Sequence, residues 1–522
     1  MPRRRSRIVL TENIFMRIEI LKRSAVMLYL TVVFSVFTIA QNTTSTLTGT
    51  TSDSDDILPG AVIKLTEVES GITYSAISNQ KGQFRITGLT PGGPYRLEVS
   101  YVGHKKSVID IKRISLGEVY SCNVELTTGN ELQEVIVKGQ AAALRKTGSS
   151  ESISAEDIDN KATVDRTLQD ILAMSPYYIG SGSFGGRDGG MNNYSIDGAN
   201  FNANMGLDRE KMPGAGTPFA LEALEDIQIV NSAFDVKNSN FMGATINAVT
   251  KKGTNTFRGS AYHFYKDESL RGNRVDGEEL TAPRGDIKRT IYGLTLGGPI
   301  IKDKLFFFVS AELENTPLQL HQWQASKDGV EDGKNLISRV TESDMKQFAS
   351  DLQSMYGWNP GSYNDFTGDN KFFRLMTRID WNISKYHKLT LRYNQTNGKK
   401  DNSYSSPGMG MNDGRVSIYS MVFDGSNWKK VDNVYSLTGE LNSRFGNNIT
   451  NTLRASFTFN DANNRECDAA FPCIEIMKPY DGDGKNHAYM SAGYDPYAWL
   501  NGINEKSWNV VHNMNISLGN HF

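Results

Sequence analysis

The histidines and cysteines are the side chains of this sequence most able to do metal or nucleophilic chemistry. The 522-residue chain has seven histidines and three cysteines. No histidine is followed three or four residues later by a glutamate or a second histidine, the spacing that brings zinc ligands to one face of a helix. The sequence also has no G-x-S-x-G motif, Walker loop or paired-cysteine metal motif. We therefore expect no catalytic residue, no metal site, no cofactor and no enzymatic activity.

The start of the chain predicts secretion. A basic segment precedes the apolar run Ala25–Ile39, and Ala40 supplies a small residue at its exit. This order is typical of a signal peptide, and the run is too short for a membrane-spanning helix. We expect residues 1–40 to be cleaved off before Gln41, with residues 1–15 as a misassigned extension.

Composition narrows the class of protein further. Hydrophobic residues make up 39% of the chain, the net charge is −2, and 48 glycines stand against 15 prolines. No later stretch holds 18 uninterrupted apolar residues, which excludes a helical membrane bundle and leaves a β-barrel open. A near-neutral chain without a basic stripe gives no support for nucleic-acid binding. At this length we expect several domains and a mainly β fold.

Residues 45–126 form the first domain that the pattern predicts. Short alternating strands are separated by turn signals every few residues, which is typical of a β-sandwich. The stretches LPGAVIKL, NQKGQFRITGL and GGPYRLEVSYVGH resemble the carboxypeptidase regulatory-like domain, a transthyretin-like sandwich. Carbohydrate binding is inferred for some sandwiches of this kind, but no aromatic platform is evident. We expect a spacer.

A short β-prone segment, ELQEVIVKG at 131–139, follows the sandwich across a polar break. Such a segment is either a stray edge strand or a strand that pairs with a partner's sheet. LQEVIVKG is similar to the TonB box of outer-membrane receptors, and we expect it to lie outside both neighbouring domains. The resemblance implies that TonB contacts Leu132, Glu134, Val135, Ile136, Val137 and Lys138.

Residues 150–255 resemble the plug of TonB-dependent outer-membrane receptors. The similarity rests on ISAEDIDNKATVDRTLQDILAMSP, GGRDGGMNNYSIDGANFN and ALEDIQIVNSAFDVKNSNFMGATINAVTKKGTN, in the order of that family. The pattern itself predicts a small α/β domain, with Leu168, Ile171 and Leu172 on one helical face. Its glycine-rich loops are either ordinary loops or apical loops facing a ligand. The resemblance favours apical loops with Phe184, Arg187, Asp188, Asn202 and Asn204.

The pattern of residues 256–522 predicts part of a transmembrane antiparallel β-barrel. About eight strands alternate strictly, as where Leu453 and Phe457 oppose Arg454 and Ser456. Period-two strands of about ten residues are typical of such barrels. Short connections alternate with long ones, as periplasmic turns alternate with extracellular loops, whereas a soluble sandwich has no reason to group its long loops. We expect Tyr262, Phe264 and Tyr265 near an interfacial aromatic girdle.

The strand number predicts that this chain is the front part of a longer protein. Plugged transporters use about 22 strands, and a closed barrel of about eight has no room for a plug. The last predicted strand is followed by Gly519, in the middle of a tight turn.

The resemblance is strongest to Oar-like receptors, through NNYSIDGANFN and INAVTKKGTN. It implies uptake of an unidentified extracellular ligand across the cell outer membrane, in contact with its lipid, with plug and amino-terminal domain towards the periplasm. Energy would come from TonB with its ExbB–ExbD motor. One alternative is a SusC-like glycan importer with a lipoprotein partner, although the segment after the box lacks that branch's glycine-tyrosine-glycine run. The other is a non-transporting adhesin or receptor.

One covalent feature is expected in the fourth extracellular loop. Cys467 and Cys473 enclose the stretch CDAAFPC. Paired cysteines outside the cytoplasm persist as bridges, so we expect a disulfide, with two free thiols as the alternative. Cys122 has no evident partner in the sequence.

Overall fold

The computed structural model describes residues 43–516 except for 55, 130–134, 137–141, 144–147, 164, 203–216, 234–241, 280–286, 365, 405–414, 447–448, 468–469 and 481–483. The predicted signal peptide and its cleavage site between Ala40 and Gln41 therefore lie outside the described residues. The described residues are mostly β, which confirms the predicted fold class.

The amino-terminal domain is a sandwich of two sheets. One sheet has the order β10-β7-β1-β4, with β8 also paired to β1, and the other has the order β3-β2-β5-β6-β9. Alternate residues point inward, so Tyr95, Leu97 and Val99 of one strand are fully buried in the shared core. The strands are β1 Ser45–Ser52, β2 Val62–Glu67, β3 Thr73–Ile77, β4 Gln83–Leu89, β5 Tyr95–Ser100, β6 Ser107–Ile111, β7 Val119–Ser121, β8 Val124–Glu125, β9 Val135–Ile136 and β10 Ala142–Ala143.

The plug is a five-stranded sheet with two short helices. The sheet order is β11-β16-β17-β14-β15, with β14 and β17 parallel and the other pairs antiparallel. Both helices begin at capping boxes, Ser154 with Asp157 and Thr167 with Asp170, which satisfy the first free N–H groups of each helix. The elements are β11 Gly148–Ser154, α1 Ala155–Asn160, α2 Leu168–Leu172, β12 Tyr178–Gly180, β13 Ser183–Phe184, β14 Asn193–Ile196, β15 Ala199–Asn200, β16 Leu224–Ala233 and β17 Thr245–Thr250.

The rest of the described chain forms a barrel wall and the loops above it. The wall is an eight-stranded antiparallel meander of the order β18-β21-β22-β25-β26-β28-β29-β32. The elements of wall and loops are β18 Arg258–Asp267, β19 Arg274–Val275, β20 Glu278–Glu279, β21 Lys288–Ile301, β22 Leu305–Gln319, β23 Gln324–Ser326, β24 Ile337–Thr341, α3 Glu342–Tyr356, β25 Thr367–Ser384, β26 His387–Asn402, β27 Met421–Val422, β28 Trp428–Phe445, β29 Ile449–Cys467, β30 Ile474–Tyr480, β31 Lys485–Ala492 and β32 Glu505–Ile516.

Short and long connections alternate along the wall as predicted. The short turns lie at the end that faces the sandwich, because Asp303 in the first of them contacts the sandwich loop at Gly71. The strands extend further into the long loops than expected, for example to Gln319 and Cys467. Beyond the part of the wall that faces the membrane, the strands lie in water and need no apolar face, so backbone pairing continues there.

Three of the long loops fold together into a cap at the far end of the wall. Its core joins residues from separate loops, including the fully buried Val340, Met345, Met421, Phe423 and Ala492. The cap is therefore a small folded unit built from segments far apart in sequence.

Among the described residues, no helix is both long enough and apolar enough to cross a membrane.

Candidate functional site

Two residues of the TonB-box-like segment, Val135 and Ile136, are docked on the sandwich. Val135 and Ile136 form the two-residue strand β9, which runs parallel to β6 and pairs with Ser107 and Val108. The expectation that this segment lies outside the sandwich is therefore wrong for these two residues. An edge strand such as β6 carries unpaired backbone groups, and the β-prone pair satisfies part of that edge. Leu132, Glu134, Val137 and Lys138 lie outside the described residues.

The plug has one end towards the sandwich and one end away from it. β17 ends at Thr250, and the hinge 251–257 leads from there to Arg258, which contacts the sandwich loop at Glu69. The opposite end of β17, at Thr245, is therefore the apical end. Met242, just before it, donates its backbone N–H to the Met191 carbonyl over 3.0 Å. This contact places both methionines at the apex.

Two of the predicted apical residues lie inside the plug. Phe184 is 1% exposed and packs edge-to-face on Tyr178, with 5.5 Å between ring centroids. The Asn202 amide accepts the Tyr194 N–H and donates to the Asn193 amide oxygen, each over 2.8 Å. Both side chains therefore shape the loops from within, because their atoms are occupied by the plug's own packing and hydrogen bonds.

Arg187 and Asp188, also predicted to be apical, are not buried in the plug as Phe184 and Asn202 are. Arg187 and Asp188 are exposed, and Asp188 accepts the Gly190 N–H over 2.8 Å at the start of a 3-10 turn. Asn204 lies outside the described residues. The sequence analysis missed the exposed apolar side chains Ile179 and Met242, which are 68% and 70% exposed. The sequence signal that was available is the presence of apolar residues next to polar, glycine-rich loops.

Charged side chains of the wall meet the plug in three buried clusters. In the first, Arg374 donates to Glu312 over 2.8 Å, to Glu314 over 2.7 Å and to the carbonyl of Thr217 in the plug over 2.7 Å. The Arg374 side chain is only 4% exposed. Plug residue Arg166 adds an ion pair with Glu222 beside this cluster. The first cluster therefore ties a plug loop to two neighbouring strands of the wall.

The second and third clusters lie nearer the sandwich. Arg378 donates to Asp380 over 2.7 and 3.1 Å and to the Thr250 carbonyl of the plug over 2.8 Å. Arg392 lies 3.5 Å from both Asp197 of the plug and Glu440 of the wall. The alternating pattern predicted the polar face that carries these residues. It did not predict the plug partners Thr250 and Asp197, because both are far away in sequence from Arg378 and Arg392.

The expected aromatic girdle is wrong for two of its three members. The Tyr262 hydroxyl donates to Glu312 over 3.0 Å, and the Arg166 guanidinium stacks 3.7 Å from the Phe264 ring centroid. Both rings therefore lie on the inner face of the wall, where Glu312 of the wall and Arg166 of a plug loop contact them. Tyr265 is 48% exposed.

The two cysteines of the fourth long loop are free thiols in the structure, so the predicted disulfide is not formed. Cys467 ends β29, and its sulfur lies 3.8 Å from the Asp495 carbonyl oxygen. Burial raises the pKa of the Cys473 thiol. Within the part of the chain that the structure describes, no group of three or more His, Cys, Asp and Glu residues could hold a metal ion.

Comparison with known proteins places two parts of the chain in described domains. Residues 46–127 match the carboxypeptidase regulatory-like domain, and residues 249–322 match an outer membrane beta barrel domain. The chain is 24% identical over 382 residues to the TonB-dependent transporter Oar of Myxococcus xanthus, covering 67% of this chain and 33% of that protein. The resemblance to Oar-like TonB-dependent receptors is confirmed. This chain thus spans about a third of the length of the Oar relative.

Solved structures similar to this Oar-like chain are outer-membrane receptors and transporters. The transporter YddB of Escherichia coli has 12% sequence identity and a TM-score of 0.46, covering 70% of this chain and 45% of that one. The siderophore receptor PirA of Acinetobacter baumannii has 16% identity and a TM-score of 0.37, covering 70% and 44%. The barrel domain and the Oar relative place the protein in the outer membrane, as the sequence predicts.

Proposed function

We propose that this Oar-like protein is a TonB-dependent outer-membrane transporter that imports an extracellular ligand. The observation that carries the proposal is the plug held by buried charges against the inner face of the barrel wall. Arg374, Arg378 and Arg392 are each no more than 4% exposed and each reaches a plug atom. A passage blocked in this way is closed at rest and needs work to open.

Magnitudes support an external source of that work. Moving the plug breaks the hydrogen bonds from Arg374 and Arg378 to plug carbonyls and the pair of Arg392 with Asp197. A hydrogen bond to a charged group contributes about 1.5–3 kcal/mol. Three such clusters hold the plug, so thermal motion alone opens the passage very rarely. Transmitted through TonB and its ExbB–ExbD motor, the proton-motive force would supply the work, with the plug and sandwich towards the periplasm. No catalytic step is needed on this chain.

The segment from Leu132 to Lys138 is the proposed contact for TonB. Strand addition uses backbone hydrogen bonds for affinity and alternate side chains for specificity. Val135 and Ile136 already use that mode when they pair with β6 of the sandwich. TonB would therefore replace β6 as the partner of this short strand.

The plug apex is the proposed contact for the ligand, which would enter from the extracellular side. Arg187 and Asp188 offer charges of both signs, and Ile179 and Met242 offer exposed apolar surface. The interior residues Phe184 and Asn202 would hold these loops in place. A ligand with polar and apolar parts fits this surface.

A binding measurement with TonB's carboxy-terminal domain tests the proposal. Proline at 136 removes one N–H and fixes φ near −65°, which an added strand tolerates poorly. Losing two hydrogen bonds of about 1 kcal/mol each weakens binding about thirtyfold. We expect Ile136→Pro in the full-length protein to show that loss by titration calorimetry, while the protein still reaches the outer membrane.

The matched control is Ala143→Pro, which changes the other short strand of the same linker. It should bind the TonB domain as the unchanged protein does. Equal affinity of the unchanged protein and Ile136→Pro would mean that this segment is linker. No binding by the unchanged protein would leave a surface receptor that imports nothing.

A further inference from the structure

We infer that the sandwich moves together with the plug and separates from the barrel rim when the passage opens. This inference rests on the proposed function. The sandwich touches two bodies, the plug and the rim of the wall that carries the short turns. The contacts on its plug side are defined here as the plug face, and those on its barrel side as the rim face. The two faces differ in burial and charge.

The plug face centres on a buried carboxylate. Asp226 of the plug is fully buried and accepts a hydrogen bond from Arg113 of the sandwich over 2.9 Å. The backbone N–H of Leu116, also in the sandwich, donates to the same carboxylate oxygen over 3.1 Å. Arg113 donates in addition to the Glu225 carbonyl over 2.8 Å. Separating this face would leave a buried charge without two of its donors, which is strongly unfavourable.

The rim face consists mainly of exposed or neutral contacts. Glu69 pairs with Arg258 over 2.7 Å, but the arginine side chain is 63% exposed, so water screens and replaces this pair. The Thr87 and Thr450 hydroxyls lie 3.0 Å apart. Asp303 also lies against Gly71. Other rim contacts of the described residues are hydrogen bonds to hydroxyl groups. Arg444 donates to Ser75, Lys388 to Thr90 and Arg454 to Thr43, and the Thr43 hydroxyl donates to Glu440.

Thr43 is the buried exception on the rim face. It lies between Arg454 and Glu440, which also pair with each other over 3.6 Å. When Thr43 leaves, the two charges keep that pair, so no charge is stranded. Opening the rim face therefore costs less than opening the plug face.

The hinge between plug and wall is held from the sandwich as well. Glu67, 1% exposed, pairs with Lys252, and the Glu69 carbonyl accepts the Asn255 N–H over 2.9 Å. The hinge belongs covalently to both plug and wall. These contacts can therefore persist while the plug and sandwich turn about the hinge as one body, so they do not distinguish the two faces.

Two reporter cysteines test the order of opening without any transport. The full-length protein is purified in micelles with Cys122, Cys467 and Cys473 replaced. Thr450→Cys then reports on the rim face and Gln228→Cys on the plug face, where Gln228 lies against Gly117. Maleimide pulses are applied across a urea series below the unfolding transition. We expect labelling at 450 to rise at least tenfold at urea concentrations that leave 228 protected.

Two disulfide locks of matched geometry sharpen the test. A Cβ built on Gly71 lies 3.6 Å from Asp303 Cγ, and one built on Gly92 lies 3.6 Å from Glu225 Cγ. Both glycines have positive φ, 70° at Gly71 and 108° at Gly92, so each cysteine carries a backbone cost, which is larger at Gly92. Gly71→Cys with Asp303→Cys locks the rim face, and Gly92→Cys with Glu225→Cys locks the plug face.

The rim lock should abolish the early labelling of 450, and reductant should restore it. The plug lock should leave that labelling unchanged. Labelling of both reporters at the same urea concentration, or of 228 first, would overturn the inference, as would suppression by both locks. Recovery in reductant shows that each locked protein had folded. TonB is absent throughout, so a failure here is separate from a failure of the TonB-binding test.

Discussion

Strands of the sandwich and of the barrel wall both alternate apolar and polar residues. The sandwich buries the apolar residues, whereas the wall buries the polar ones. In β5 of the sandwich, Leu97 is fully buried and Arg96 is exposed. In β29 of the wall, Arg454 is 2% exposed and Leu453 is 42% exposed. Alternation therefore predicts a strand in both regions. The surroundings of each face decide which half is buried.

The difference follows from what lies on each side of the sheet. The outer face of the sandwich meets water, so apolar residues gather inside. The outer face of the wall meets lipid, and its inner face meets a folded plug with polar loops. Charges on that inner face are stabilised only where they find partners, as Arg378 finds Asp380 and a plug carbonyl.

The largest expected effect comes from removing the arginine of a buried ion pair on the inner face of the wall. Arg378→Ala takes two hydrogen bonds from Asp380, which is itself 2% exposed and keeps Lys388 at 3.3 Å and Thr390 at 2.9 Å. We expect a loss of about 3–5 kcal/mol in the free energy of unfolding, because a buried carboxylate loses its nearest charged partner. Denaturant unfolding followed by heat-modifiable gel mobility measures it.

The control for this change removes both charges. Arg378→Met with Asp380→Leu removes both members of the pair, Lys388 keeps its hydrogen bond to Thr90, and replacement of a buried pair by apolar residues is often neutral. We expect most of the loss to be recovered. A double variant as unstable as Arg378→Ala would show that polar contacts to the plug, rather than the pairing of charges, stabilise the wall.

The next effect contrasts matched leucines of the two regions. Leu97→Ala empties space in the sandwich core and should cost about 3 kcal/mol. Leu437, 55% exposed on the outer face of the wall, meets lipid that fills the space after truncation, so Leu437→Ala should change stability by about 0.5 kcal/mol or less. Circular dichroism during urea unfolding compares them. Equal losses would contradict the assignment of the outer face to lipid.

A smaller effect is expected in the plug, which lies between the two regions. The Thr167 hydroxyl accepts the Asp170 N–H over 3.2 Å, and the Asp170 carboxylate accepts the Thr167 N–H over 3.0 Å. Thr167→Ala should destabilise the plug by about 1 kcal/mol, measured as faster limited proteolysis. Thr167→Ser keeps the acceptor and should restore resistance. Unchanged proteolysis in Thr167→Ala would show that packing alone fixes this helix.

The smallest effect is a pH dependence confined to the sandwich. The hydrogen bond with Asp53, 2.9 Å from His104 Nε2, raises the pKa of His104 above its ordinary value near 6.5. Because the folded pKa is the higher one, this stabilisation is full below about pH 6.5 and is lost as the pH rises through the folded value. Asp53→Asn should flatten the dependence of the sandwich's urea midpoint on pH. An unchanged slope would contradict the pairing.

Local pattern predicted the features that depend on neighbours in sequence. Leu168, Ile171 and Leu172 share a helical face and are each at most 1% exposed, as predicted. The inward polar residues of β29, such as Arg454 and Ser456, were predicted by period two alone. In each case a single element determines the outcome.

Features that depend on contacts between distant segments were not predictable in this way. Tyr262 faces inward, where Glu312 of another strand accepts a hydrogen bond from its hydroxyl. The cap joins loops far apart in sequence, as where Val340, Phe423 and Ala492 share one core. Ile136 pairs with a strand edge that only the folded sandwich creates. Composition and period do not show which edge or charge a segment will meet.

Movement of the plug under energy from TonB is the central claim, and one labelling measurement tests it directly. Ala220 of the plug is 4% exposed and packs against Phe308 and Met376 of the wall. With the native cysteines replaced, Ala220→Cys in the full-length protein is exposed to maleimide in living cells. We predict labelling in energised cells and protection after an uncoupler, after loss of TonB, or with Ile136→Pro added. Equal labelling under all four conditions would contradict a plug that TonB moves.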